Sequence, residues 1–64
     1  MKGVVKFFNS EKGYGFIKSE DGKDIFFHFR ALSDGSRTVD QNTNVEFEIE
    51  ESERGPRAIN IKKL

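Results

Sequence analysis

Apolar and polar positions alternate along most of this chain, and the alternation stops at clusters of turn-forming residues. Val4 to Phe8 is a first apolar run, closed by Asn9-Ser10-Glu11-Lys12-Gly13; Tyr14 to Lys18 is a second, closed by Ser19-Glu20-Asp21-Gly22-Lys23. Short side chains that bond their own backbone, together with glycine, favour reversals, so Asp21-Gly22 predicts a hairpin turn. A third run, Asp24 to Phe29, leads into a polar stretch, Arg30 to Thr43, predicted to be a long mobile loop. Asn44 to Glu51 then alternates without a break, with Val45, Phe47 and Ile49 on one face and Glu46, Glu48 and Glu50 on the other. After Ser52 to Pro56 the pattern resumes with Ile59 and Ile61. Nowhere does an apolar period of 3.6 persist long enough for a helix, so the pattern predicts five short strands.

Five antiparallel strands in 64 residues cannot make two full layers. Closing into a barrel buries one face and hides the strand edges, which predicts an all-β, five-stranded antiparallel barrel of the oligonucleotide-binding (OB-fold) type as a single domain over residues 1–64. Its expected core is Val5, Ile17, Ile25, Phe27, Val45, Phe47, Ile49 and Ile61. The chain has no cysteine, so disulfides and thiolate metal sites are excluded and the core alone must hold the fold. Lysines interrupt the first apolar run too early for a signal peptide or membrane span, and a soluble cytoplasmic protein is expected. Formal charge is zero, with 11 basic and 11 acidic side chains. Net charge therefore says nothing about nucleic acid, although Lys and Arg are in slight excess before position 38 and Asp and Glu after it.

The core leaves aromatics to spare. If Ile17 points inward, Tyr14 and Phe16 share the opposite face; if Ile25 and Phe27 point inward, Phe26 and His28 face out. Phe7, Phe8 and Phe29 lie at strand ends where the facing is ambiguous, yet so small a core has no room for all of them. An exposed aromatic patch costs solubility and usually marks a binding surface. Lys6 and Lys12 border it, Arg30, Arg54 and Arg57 lie within reach of its rim, and Gly13 and Gly15 remove bulk beside Tyr14 and Phe16. Flat rings among cations suit bases and phosphates: every base has a π-face, each stacked base is worth about 1–3 kcal/mol, and a duplex would hide those faces. Single-stranded RNA or DNA is the expected ligand. Glu46, Glu48, Glu50, Glu51 and Glu53 form a solvated acidic face that would repel phosphate from that side.

Two strings, Lys12-Gly13-Tyr14-Gly15-Phe16-Ile17 and Asp24-Ile25-Phe26-Phe27-His28-Phe29, resemble the two ribonucleoprotein motifs of bacterial cold shock proteins. The resemblance extends to Gly3-Val4-Val5-Lys6-Phe7-Phe8-Asn9 and to Arg54-Gly55-Pro56-Arg57-Ala58, so it spans the whole chain as a single cold shock domain. It implies the same barrel, binding of single-stranded RNA and DNA with low sequence specificity, RNA-chaperone activity, and roles in transcription antitermination and cold adaptation. By position it also implies base stacking by Phe7, Tyr14, Phe16, Phe26, His28 and Phe29, with Phe8 beside them and Lys6, Lys12, Asp24 and Arg54 as polar contacts. The chain departs from the family pattern in three places. Phe7 stands where tryptophan is usual, the loop Ser33-Asp34-Gly35-Ser36-Arg37 is slightly short and lacks a further aromatic, and Arg57 replaces a common glutamine, adding a candidate phosphate contact.

The rival readings are weaker. Lys12 to Ile17 also fits part of an RNA-recognition motif, but that fold needs two helices and places its other aromatic strand first. A barrel docking proline-rich peptides on its aromatics would not call for lysines around the rings. Gly13-Tyr14-Gly15 lacks the further glycine, the Lys-Ser/Thr pair and the helix of a phosphate loop. Scattered serines and a lone histidine, His28, do not converge as catalysis or metal binding requires. No enzyme activity, cofactor, metal ion or small-molecule substrate is expected, nor a membrane partner, and a monomer is the expected state.

Overall fold

The computed structural model describes every residue from Met1 to Leu64. Strands β1 (Lys2–Asn9), β2 (Tyr14–Ser19), β3 (Asp24–His28), β4 (Asn44–Ser52) and β5 (Gly55–Lys63) close into a barrel in the order β1-β2-β3-β5-β4. The predicted all-β five-stranded barrel is therefore present. Its pairs are antiparallel except one: β3 and β5 meet in parallel at Phe26 and Arg57. A ring with an odd number of strands cannot alternate direction at every seam, so a closed five-stranded barrel must contain a parallel pair. This corrects the expectation of a wholly antiparallel barrel.

Two tight reversals align the strands that carry the aromatics. Asn9 Oδ1 accepts from the backbone N–H groups of Glu11 and Lys12 at 3.0 and 3.1 Å, and Gly13, at φ +74°, donates to the Asn9 carbonyl at 2.8 Å. A left-handed residue at that point is what glycine supplies without a Cβ penalty. The second reversal is the predicted turn at Asp21-Gly22, where Ser19 N–H donates to Lys23 O at 2.8 Å and Ser19 O accepts from Gly22 N–H at 2.9 Å.

Val5, Ile17, Ile25, Phe27, Val45, Phe47 and Ile61 are buried as the alternation predicts, but Ile49 is 37% exposed. The β4–β5 hairpin runs past the strands that would cover it. β1 meets β4 only from Lys2–Glu46 to Val4–Asn44, and β3 meets β5 at a single residue pair. A bulge at Asn60, φ +51°, lies where Phe47 opposes both Asn60 and Ile61; it turns Ala58 inward and leaves Ile59 half-buried. The rest of the missing core comes from the long loop. A short 3₁₀ turn, Phe29–Ala31, follows β3; Leu32 bridges in parallel to Ile61, and Leu32 and Val39 are buried. The loop ends by bonding β1: Val5 N–H donates to Thr43 O at 2.9 Å and Asn42 N–H to Val5 O at 2.7 Å. Hydrophobic plugs and backbone bonds thus tie down both ends of a segment expected from its composition to be a long mobile loop.

Candidate nucleic-acid interface

The two adjacent rings of β1 are sorted by a bulge. Val5 faces Ile17 across the β1–β2 seam, yet Phe7, not Lys6, faces Phe16, so Lys6 is the extra residue. Without it, strict alternation from buried Val5 would send Phe7 into the core. With it, Phe7 emerges on the outer face, 45% exposed, while Phe8 turns inward opposite buried Gly15. Phe8 lies against the core and stacks on Phe27 with ring centroids 5.8 Å apart and planes 16° apart. Its place is beneath the aromatic surface, as support for it.

Direct cross-strand pairing then builds a single row across all five strands. Phe7 pairs with Phe16, Phe16 with Phe26, Phe26 with Arg57, and Arg57 with Glu50. A second, shorter row joins Asn9, Tyr14 and His28. Ring contacts knit the rows together. Phe7 meets Tyr14 edge-on at 6.2 Å, Tyr14 stacks on Phe26 at 5.8 Å, and Phe16 meets Phe26 edge-on at 5.9 Å. All lie in the range of favourable aromatic pairs, which holds the rings at fixed tilts rather than as a loose patch. Phe26 is 39% exposed and Tyr14 and Phe16 are partly so.

His28 and Phe29 extend the strip around the end of β3, 4.6 Å apart. His28 Nδ1 accepts from the Arg30 backbone N–H at 3.3 Å and so caps the 3₁₀ turn, which places the proton of the neutral ring on Nε2. Phe29, expected at the end of a strand, belongs to that turn and is partly buried on the core. Gly13 leaves room for its ring: a Cβ there would come within 2.6 Å of Phe29. Gly15 is likewise an inward position, where a Cβ would collide with the Phe7 carbonyl and approach the Phe27 ring at 3.0 Å. The glycines make room beneath the rings, not beside them on the outer face as the sequence suggested.

The cations are distributed unevenly. Lys6 Nζ donates to Asp24 Oδ2 at 2.9 Å, so these two residues form one ion pair at the β1–β3 side of the strip. Arg57 donates through Nε and Nη2 to Glu50 Oε1, with the Nε bond at 3.0 Å, at the opposite side. Both pairs are half exposed, a setting in which the attraction is weak and yields readily to another anion. The acidic face does not lie wholly opposite the rings: Glu50 reaches the rim through Arg57. Lys12, Arg30 and Arg54 make no ion pair. Arg54 sits in the β4–β5 turn, which lines a shallow depression with Phe26 and Arg57. Lys62 and Lys63 divide: Lys62 lies across from Glu46, and Lys63 reaches Asp34 at 3.4 Å, tethering the loop.

Sequence reasoning left part of the rim unassigned. A groove between the 3₁₀ turn and β5 is lined by His28, Phe29 and Arg30 on one side and by Arg57, Ile59 and Asn60 on the other. The parallel β3–β5 seam and the Leu32–Ile61 bridge bring these segments together, and nothing local in the chain signals either.

The profile of the "Cold-shock" DNA-binding domain matches residues 1–64. The chain is 50% identical over 64 residues to a "Major cold shock protein" of Streptococcus pyogenes, covering 98% of this chain and 96% of that one. It is 51% identical over 65 residues to "Cold shock-like protein CspC" of Bacillus cereus, covering both chains completely. Among solved structures, "drosophila Unr CSD456" superposes with a TM-score of 0.77 at 33% identity, over 98% of this chain and 26% of that one. None of these points to an enzyme family. With its barrel and full-length match, the chain belongs to the cold shock domain family.

Proposed function

We propose that this protein binds single-stranded RNA and DNA with low sequence specificity, by stacking successive bases on the outer faces of β1, β2 and β3. The observation that carries this reading is the continuous row Phe7-Phe16-Phe26-Arg57, three rings ending in a guanidinium, reinforced by Tyr14, His28 and Phe29. Rings in cross-strand register present flat apolar faces in series. A strand with free bases can lie along them, whereas a duplex offers only its phosphates. Lys6, Lys12, Arg54 and Arg57 supply the backbone contacts, Asp24 orients Lys6 and offers an acceptor to base amino groups, and Phe8 underpins the surface. Ring stacking and phosphate contacts carry little base identity, which is in keeping with low specificity.

A surface that holds unpaired bases pulls the equilibrium of a weak hairpin toward its open form. RNA chaperoning, and with it antitermination and adaptation to cold, is the cellular role this chemistry fits, in keeping with the names of the relatives. Phe16→Ala and Phe26→Ala test the reading together. Each removes one stacking platform and should weaken binding of a fluorescent oligothymidine by about 1–3 kcal/mol with the barrel intact. At 10 °C the wild-type protein should open a quenched RNA hairpin, and both variants should open it less. Unfolded variants would make the two rings core residues; intact variants with unchanged binding and hairpin opening would remove stacking as the mechanism.

A further inference from the structure

We infer that the groove between the Phe29–Ala31 turn and β5 is an additional nucleotide subsite, which lengthens the single-strand path beyond the aromatic strip. This rests on the single-strand reading and deepens it.

Three observations carry the inference. The groove is continuous with the strip, since Phe26, His28 and Phe29 line both. A strand leaving His28 and Phe29 therefore meets the groove mouth without crossing other surface. Its volume, about 720 Å³, falls within the roughly 300–1,000 Å³ of sites that hold small organic groups. Its charge is of one sign: Arg30 and Arg57 stand on opposite walls, and no carboxylate lines it.

The two arginines differ in how they are held. Arg57 has Nε and Nη2 engaged by Glu50 Oε1, which fixes the guanidinium plane and leaves Nη1 to donate elsewhere. Arg30 makes no ion pair and keeps all its donors. Together they match a phosphate that enters between them, one guanidinium oriented by Glu50 and the other without an ion pair. Half-buried Ile59 offers apolar surface there for a base or sugar. Asn60 gives its Nδ2 to Glu48 Oε2 at 2.7 Å, and its carbonyl oxygen is left to accept from a ribose hydroxyl or a base N–H.

The test is an oligothymidine length series, from four to twelve nucleotides, read by anisotropy against the wild type, Arg30→Gln and Arg30→Glu, with Lys23→Gln in the β2–β3 turn as a charge control. Short oligomers should bind wild type and all variants alike. Long ones should lose about three- to fivefold on Arg30→Gln and more on Arg30→Glu, with no loss on Lys23→Gln. In amide-resolved NMR of the wild type, Ala31, Ser33 and Asn60 should shift with the twelve-mer and stay still with the four-mer. Equal length curves for wild type and Arg30→Glu, or groove amides that ignore the twelve-mer, would overturn the subsite while leaving the strip standing. Failure of the wild type to bind at any length would overturn both.

Discussion

Phe7 and Phe8 are chemically identical neighbours, and the bulge at Lys6 assigns them opposite tasks, so truncating each to alanine should give opposite phenotypes. Phe8 packs on the core and stacks on Phe27. Deleting a fully buried phenylalanine side chain costs roughly 3–5 kcal/mol, and a half-buried one should cost about 2–3 kcal/mol. A chain of this length has a total stability of only about 3–10 kcal/mol. Phe8→Ala should therefore lower the thermal midpoint by about 10–20 °C, at roughly 4–8 °C per kcal/mol. Phe7 is 45% exposed and touches Tyr14 only edge-on. Phe7→Ala forfeits at most one exposed aromatic pair, under about 1.5 kcal/mol of stability. It also removes a stacking platform, which should weaken oligothymidine binding about 5- to 150-fold. Circular dichroism melting and fluorescence anisotropy on the same two variants make the comparison. If Phe7→Ala melts far lower and Phe8→Ala binds poorly while staying folded, the bulge has been assigned to the wrong residue.

Glu50→Gln releases Arg57 to phosphate. It should tighten single-strand binding up to about fivefold and steepen the salt dependence by roughly 0.7 in log–log slope; unchanged slope would mean that Arg57 does not reach the strand. Lys6→Gln should weaken all sequences alike and flatten that slope, because a phosphate contact carries no base identity, and an altered sequence preference would contradict the assignment. Gly15→Ala places a Cβ against the Phe7 backbone carbonyl, which cannot yield as a side chain could, so the variant should fail to give a cooperative melt. Hydrogen bonding from Ser19 and then from the Lys23 backbone holds the Asp21 carboxyl below its ordinary value of 3.8. A depressed folded pKa adds stability that is present above the unfolded value and is lost as pH falls through the folded one. Denaturant midpoints should accordingly fall below about pH 4 in the wild type, and Asp21→Asn should show a lower midpoint at neutral pH with less acid loss; parallel pH curves would refute the role of this carboxyl.

Strand alternation carried most of the fold. It placed Val45 and Phe47 inside and the glutamates of β4 outside because one buried face imposes a period of two. The same rule failed where strands bend. At Lys6 and Asn60 an extra residue shifts the period, and the partner strand that demands the shift lies elsewhere in the chain. Ile49 fits the inward pattern perfectly yet lies past Glu46, where the pairing of β4 with β1 ends, and alternation does not measure where a neighbouring strand stops. Leu32 and Val39 were hidden by their polar surroundings in the loop. The candidate stacking residues Tyr14, Phe16, Phe26 and His28 were legible because each lies one step from an inward-facing residue on an unbulged strand. Arg57 was legible only as a cation; its place in the row depends on the parallel seam, and its pairing with Glu50 on the β4–β5 register.

In the proposed binding mode, flat rings hold the ligand more than charge does. The direct measurement is binding of a fluorescent oligothymidine and of its duplex at two salt concentrations. The single strand should bind much more tightly than the duplex and weaken only moderately as salt rises. Equal binding of the two forms, or single-strand binding abolished by salt, would leave the aromatic row without its ligand.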